Sequence, residues 1–396
     1  MIRKQRAETA YCMRGARAAG CAAMNRHTFD AIVIGAGIAG ATAAAHLSAT
    51  RRVALLEAEE SAGYHATGRS AAIWIRNYGS PDARILTAAS RAFFETPPPG
   101  FADAPLMRPR PVVHLAPPDQ VQHLRDMIAE GDDMREIPVQ QVRAMVPALR
   151  ADYAAMAAVE SDCFDIDVAA MHQGFLRQAR AAGGVLALRS RAGRIWREGG
   201  LWHAETNTGD VHAAPVIVNA AGAWGDEVAR IAGLDPIGLQ PKRRTACIVD
   251  PGDYDCADWP LLGDAGHGWY VRAEARRKLM VSPADETDSD PCDAQPDEYD
   301  VAVAVDRMQQ ALDIPVSRIE HRWAGLRSFT PDRGLAIGEG MEKGFFWMVG
   351  QGGYGMQTAP AAGMLLAALV GGEDPGPLAA AVPLCDPRRF ARKAAA

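Results

Sequence analysis

FDAIVIGAGIAGATAAAHL, residues 29 to 47, is the stretch from which the fold can be read outward. Ile32, Val33 and Ile34 form a short apolar run that ends in Gly35-Ala36-Gly37-Ile38-Ala39-Gly40, and an Ala-rich helical pattern follows. The spacing predicts a strand, a tight turn and a helix. A glycine at 35 permits the turn, one at 37 lets backbone approach a pyrophosphate, and one at 40 lets the helix pack on the strand. The helix N-terminus then offers free N–H groups and the positive end of its dipole to phosphate. A second apolar run, Val53-Ala54-Leu55-Leu56, ends in Glu57, twenty-two residues after Gly35. A dinucleotide-binding βαβ unit carries its ribose-binding carboxylate at about that distance. A lone GxGxxG says little; here strand, glycines, helix, second strand and acid agree.

The chain has 396 residues, enough for two domains, and its 48% hydrophobic content fits a globule with a core to bury. Its formal net charge of −6 is spread without long blocks of one sign, which argues against nucleic acid or an anionic membrane as the main partner. Seven cysteines are scattered without a CxxC pair, which points to a reducing, cytoplasmic setting and no structural metal. Residues 1 to 27 are Arg- and Ala-rich with no apolar run of secretory length, and read as a disordered or mis-started tail. No run of 18 apolar residues occurs, so no membrane span is expected.

After Glu57 a Gly/Ser-punctuated loop, residues 61 to 79, should pass beside the dinucleotide. Residues 80 to 95 read as a helix that Pro97-Pro98-Pro99-Gly100 stops. Arg108-Pro109-Arg110-Pro111 leads into the strand Val112-Val113-His114-Leu115, and residues 117 to 150 look helical and exposed. Asp167 is positioned to cap a new helix, and Val185-Leu186-Ala187-Leu188 should return as a strand to the first sheet. Val216 to Asn219 reads as a buried strand ending in the small residues Ala220, Ala221 and Gly222. From 236 to 325 short strands, prolines and acidic loops suggest a β-rich second domain, with the acid-rich patch Asp285 to Asp300 as a solvated loop. A last apolar strand, Gly344 to Gly350, feeds a second glycine turn and an Ala-rich helix.

With these pieces placed, GAGIAG, GYHATGRSAA, RAFF, DIDVAAMHQGFLR, VNAAGAW, LQPKRR, WAGLRSF and GQGGYGMQT together resemble the D-amino-acid oxidase-like superfamily of FAD-dependent oxidoreductases, most closely the bacterial D-arginine dehydrogenases. The resemblance covers about residues 29 to 385. It implies an α/β (α+β) fold: a discontinuous Rossmann-like FAD domain of three ββα layers (28–106, 160–237 and 325–386) and a mixed-sheet substrate domain (107–159 and 238–324). It implies FAD contacts at Gly35, Gly37, Ile38, Ala39, Gly40, Glu57, Ala58, Gly68, Arg69, Ser70, Ala71, Ala72, Ala192, Ala221, Gly222, Trp224, Arg327, Gly352, Gly353, Tyr354, Gly355, Met356 and Gln357. The flavin should be non-covalent, because Arg327-Ser328-Phe329-Thr330-Pro331-Asp332 lacks the cysteine that sarcosine-oxidase relatives use for attachment.

The chemistry so implied is hydride transfer from the substrate α-carbon to flavin N5, giving an imino acid that water converts to a 2-oxo acid and ammonia. Arg244 and Arg327 match the family's carboxylate-binding positions, a task suited to a planar, always charged guanidinium. Tyr270 matches the tyrosine that joins them, and Tyr78 a tyrosine on the amine side. Two departures stand out. Val112 occupies the position of the glutamate that receives a basic side chain, and Ile73 and Ile75 replace a histidine and a threonine. A cation there would be desolvated and unpaired, at a cost of several kcal/mol on the order usual for buried charge. The expected substrate is therefore a D-amino acid with a neutral, apolar-leaning side chain; His114, on the strand face of Val112, is the alternative polar contact. The electron acceptor would be a quinone, another carrier or O2. Two other readings stand beside this one: an oxidase of glycine, sarcosine or another secondary amine, and a catalytically silent flavin-binding partner protein.

Overall fold

The computed structural model describes residues 26–391. Ala31–Ile34 and Val53–Leu56 lie parallel in a six-stranded sheet with the order Val185–Ala187, Val53–Leu56, Ala31–Ile34, Val216–Asn219, Phe345–Val349, Ala336–Glu339. All neighbours are parallel except the last pair. Such strands are buried on both faces, so they read as continuous apolar runs, and alternate residues serve different cores. Ala31, Val33, Val53, Leu55, Val218, Phe346 and Met348 pack toward the helices Ile38–Ser48, Val168–Ala181 and Gly355–Gly371. Ile32, Ile34, Ala54, Leu56, Ile217, Phe345 and Trp347 face the other way, onto a four-stranded sheet that contributes Ile195, Trp202 and Ala204. The result is three layers, sheet, sheet and helices, as the fold class implied.

The turn that feeds the first helix is set by contact. Gly35 has φ +97°, and a Cβ on Gly40 would stand 1.7 Å from the Gly35 carbonyl oxygen, so the helix reaches the turn only with a bare residue at 40.

A nine-stranded sheet forms the second body. Its strands alternate with period two. Val113, Leu115, Val159, Cys247, Val249, Leu262, Val271, Leu279 and Val281 pack under the helix Glu298–Ala311. The residues between them, Val112, His114, Glu160, Leu261, Gly263, Tyr270, Met280, Ala246 and Arg244, line the large cavity between the two bodies.

Several expectations are corrected. The tail expected over 1 to 27 lies outside the described residues as far as residue 25, but Arg26–Thr28 is a strand paired with Val211–Ala214. Residues 117 to 150 are not uniformly helical: Gly131 ends the helix Val121–Glu130, and Met134–Ile137 follows as an edge strand of the large sheet. Val185–Ala187 joins the first sheet as expected, while residues 195 to 209, a hairpin-like stretch expected to return to that sheet with it, belong to the four-stranded sheet. Finally, Asp285 to Asp300 is largely exposed, as a solvated loop would be, but it is tied down by ion pairs and its last residues begin the helix Glu298–Ala311. Among the described residues no helix is long and apolar enough to cross a membrane.

Candidate active site

The cavity measures about 810 Å³ and runs from the Gly35 turn to the large sheet. At the first end the Glu57 carboxylate, nearly buried, accepts from Ala36 N (2.8 Å) and Glu59 N (2.9 Å). It is thereby fixed at the C-terminal end of its strand, beside the turn. Thr67 Oγ1 accepts from Ile38 N at 2.9 Å, so a residue 29 positions away caps the helix. The next two N–H groups, of Ala39 and Gly40, have no partner inside the helix by geometry.

At the opposite wall two guanidinium groups converge. Arg327 Nη1 donates to the Tyr78 hydroxyl at 3.1 Å, and a Cβ on Gly353 would lie 3.0 Å from Arg327 Nη1, so the second glycine turn sits directly against this arginine. Arg244 Nε donates to the Asp285 carbonyl at 2.8 Å, and its Nη2 lies 3.6 Å from Glu286. Burial and the neighbouring Arg327 charge lower the Arg244 pKa from its ordinary value. Burial works in the same direction on Arg327, but Tyr78, Tyr270 and Glu286 outweigh it and hold that group above its ordinary value. Tyr270 reads the same field: burial raises a phenol, yet Arg327 and Arg244 pull it below its usual range. Two cations and one phenol thus face a shared space whose positive potential suits an anion.

Beyond Tyr270 the wall is mixed. Ile73, Ile75 and Val112 line it. The fully apolar wall is nevertheless corrected, because Val112 pairs across the sheet with Glu160, and that carboxylate is buried at the cavity edge. Glu160 Oε1 is 2.9 Å from His114 Nε2, and Oε2 accepts from Asn77 Nδ2 at 2.6 Å. His267 stands opposite, its ring centroid 6.4 Å from that of His114; burial, then His114, lower its pKa, so it is neutral at neutral pH.

The acidic segment closes the cavity from above. Asp285 accepts from Thr245 N at 2.6 Å, Glu286 takes both terminal nitrogens of Arg333 at 3.0 and 2.9 Å, Asp293 pairs with Arg69, and Asp300 accepts from Arg243 at 2.7 Å. Most of its acids face a basic side chain, with Arg243 shared by Asp285, Asp297 and Asp300, and the Asp285 side chain is buried to 7% exposure. It is a strap held by arginines.

Comparison with known proteins gives the family and the fold. The family model for FAD dependent oxidoreductase (DAO) matches residues 30–369. The chain belongs to the DAO family. The tRNA 5-methylaminomethyl-2-thiouridine biosynthesis bifunctional protein MnmC of Burkholderia lata is 26% identical over 340 residues, which are 82% of this chain and 48% of that protein. The chain spans about half or less of the length of such curated relatives. Among solved structures, L-proline dehydrogenase from P. horikoshii superposes with TM-score 0.80 at 20% identity, covering 93% of this chain and 99% of that one. Glycine oxidase from Geobacillus kaustophilus gives 0.77 at 20% identity, covering 88% and 96%. These two likenesses establish the fold.

The residues of this DAO-family chain fit its FAD. The bare Gly35 turn, the helix N-terminus and the Glu57 carboxylate suit a pyrophosphate and a ribose, and the second helix, Gly355–Gly371, directs its own N-terminus into the same cavity. Of the expected contacts, two do not line the cavity: Gly40 packs against Gly35, and Gly68 closes a turn through its N–H to the Gly63 carbonyl at 2.7 Å. Arg69 lines the cavity, but its guanidinium is spent on Asp293 and on the Ala294 and Ala324 carbonyls at 2.9 and 3.0 Å, so it anchors the strap. Sequence reading missed Glu160, Asn77, His267, Glu286 and Thr67. The period-two pattern of Met156–Glu160 marks Glu160 as sharing a face with Ala158, but nothing local says which strand lies beside it.

Proposed function

We propose that the protein oxidises the α-amine of a D-amino acid with an uncharged side chain. The observation that carries this is the pairing of Arg244 and Arg327 around Tyr270 at one wall of a cavity whose far end suits a dinucleotide. Two guanidiniums grip both oxygens of a carboxylate and fix the α-carbon between them and the ring site, which converts a collision into a positioned encounter. The bound flavin supplies the two-electron acceptor for the α-carbon hydride, and water converts the released imine to a 2-oxo acid and ammonia.

The preference for the D enantiomer is supported by the motifs shared with D-arginine dehydrogenases. The preference for an uncharged side chain is supported by Ile73, Ile75 and Val112 along the cavity wall and by the one acid beside them, Glu160, being already paired with His114 and Asn77. A glycine or sarcosine substrate would leave the space from Tyr270 to His114 unfilled. The test is steady-state kinetics with D-Leu, D-Met and D-Gln against D-Arg, D-Lys, glycine and sarcosine, run with an artificial acceptor and again with O2 alone. The neutral D-amino acids should lead in kcat/KM; a lead for the basic pair or for glycine would overturn the reading. Oxygen uptake without added acceptor separates an oxidase from a dehydrogenase passing electrons to a quinone or another carrier.

A further inference from the structure

We infer that the His114–Glu160 pair is a specificity site that accepts a hydrogen bond from a neutral donor, a carboxamide or an imidazole N–H, at the end of the substrate side chain. The inference rests on the reading that Arg244 and Arg327 hold the substrate carboxylate.

Sheet register places the pair. Tyr270 is directly opposite Gly263, and Gly263 is directly opposite His114. Partners in a ladder point to the same face, so Tyr270 and His114 project into the cavity from strands two steps apart, about 9 to 10 Å between backbones. The residue between them has no side chain. A Cβ on Gly263 would lie 3.1 Å from the Tyr270 Cβ and 2.6 Å from the Trp269 carbonyl oxygen. Gly263 lines the cavity without placing a side chain between the carboxylate site and His114, and the separation of about 9 to 10 Å between those strands accommodates a side chain of glutamine or histidine length.

The polarity of that end follows from who holds whom. Glu160 is 4% exposed and both of its oxygens are engaged, Oε1 by His114 and Oε2 by Asn77, which Asp132 O in turn orients at 2.7 Å. A carboxylate at Nε2 keeps the ring proton on that nitrogen, so a neutral His114 presents Nδ1 as an acceptor. Nδ1 has no hydrogen-bond partner among the described residues and is not among the sealed-off polar atoms, while His114 lines the cavity. His114 and Asn77 each engage one Glu160 oxygen, so the charge of that buried acid is already shared between two donors, while the imidazole keeps a ring nitrogen unpaired. The imidazole, and not the acid, meets the ligand.

The experiment uses ligands that carry a carboxylate but no α-amine, so that binding is read without turnover. The flavin-loaded full-length protein is titrated with hexanoate, with 5-amino-5-oxopentanoate and with 5-aminopentanoate, following the visible absorption of the bound flavin. The amide acid should bind about tenfold more tightly than hexanoate, the size of one well-placed neutral hydrogen bond. His114→Leu should remove that advantage and leave hexanoate unchanged. Because this variant strands a buried carboxylate, His114→Leu/Glu160→Leu is measured alongside it and should give the same loss. Equal binding of amide and alkyl acids to the native protein would overturn the inference, as would tightest binding of the ammonium acid or equal weakening of all three ligands in both variants. A D-amino acid screen without turnover, beside a retained amide preference, would remove the proposed function and leave this site standing.

Discussion

Arg327 is where the chemistry of single residues is most exposed. It is tied to the Tyr78 hydroxyl and pressed against the Gly353 turn, so its guanidinium is oriented before substrate arrives. Arg327→Met should lower kcat/KM for the preferred amino acid by about a hundredfold or more, the 2 to 5 kcal/mol range for losing one partner of a desolvated charge pair. Most of that loss should fall on KM, and the flavin content should hold. Arg327→Lys should recover little, because an ammonium cannot grip both carboxylate oxygens. A KM within a few-fold of the native value would remove Arg327 from substrate binding. At this scale sequence and structure agree on Arg244, Arg327, Tyr270 and Tyr78 as neighbours in one cavity, because motif context identifies them wherever the chain carries them. Glu160 was not legible. Its meaning depends on lying across from Val112, and that pairing is fixed by strands 48 residues apart.

Elements show the same division between local and non-local information. The strand, glycine turn and helix over residues 31 to 48 could be read because every determinant is within the segment: an apolar run, bare residues at the turn and an Ala-rich helix. Asp167 is likewise found capping its helix, accepting from Ala170 N at 2.9 Å. The strap from Asp285 to Asp300 could not be read, since its partners Arg69, Arg243, Arg244 and Arg333 come from three distant parts of the chain. One consequence belongs to this element. Glu286 faces Arg244 at 3.6 Å and bears on the Arg327 charge, so it offsets part of the positive potential meant for a carboxylate. Glu286→Gln should therefore tighten substrate binding, lowering KM several-fold with kcat little changed. A raised KM would show instead that Glu286 holds the strap in its working position.

For the whole molecule, two bodies with separate cores enclose one cavity, and the stability of the FAD-binding body carries its own pH signature. His46 lies on the first helix against Phe175, with its Nε2 buried and unpartnered; burial lowers its pKa from 6.5 to about 4. The unfolded chain takes up a proton at His46 near pH 6.5, whereas the folded chain does so only near pH 4. Stability is therefore greatest above pH 6.5 and falls as the pH drops toward 4, by about 3 kcal/mol once both states are protonated. Buried His172 shifts in the same direction. His46→Leu should flatten the decline of Tm between pH 6.5 and 4.5 relative to the native protein; parallel curves would show that His46 is already protonated in the fold. The central claim concerns the cavity as a whole, that a flavin at one end and an arginine pair at the other act on one amino acid between them. It is tested most directly by mixing the purified yellow protein anaerobically with single D- and L-amino acids and recording the flavin absorption. Bleaching by a neutral D-amino acid, with its L enantiomer inert, is the predicted result; a flavin that stays oxidised with every amino acid, or bleaches only with L enantiomers, would contradict it.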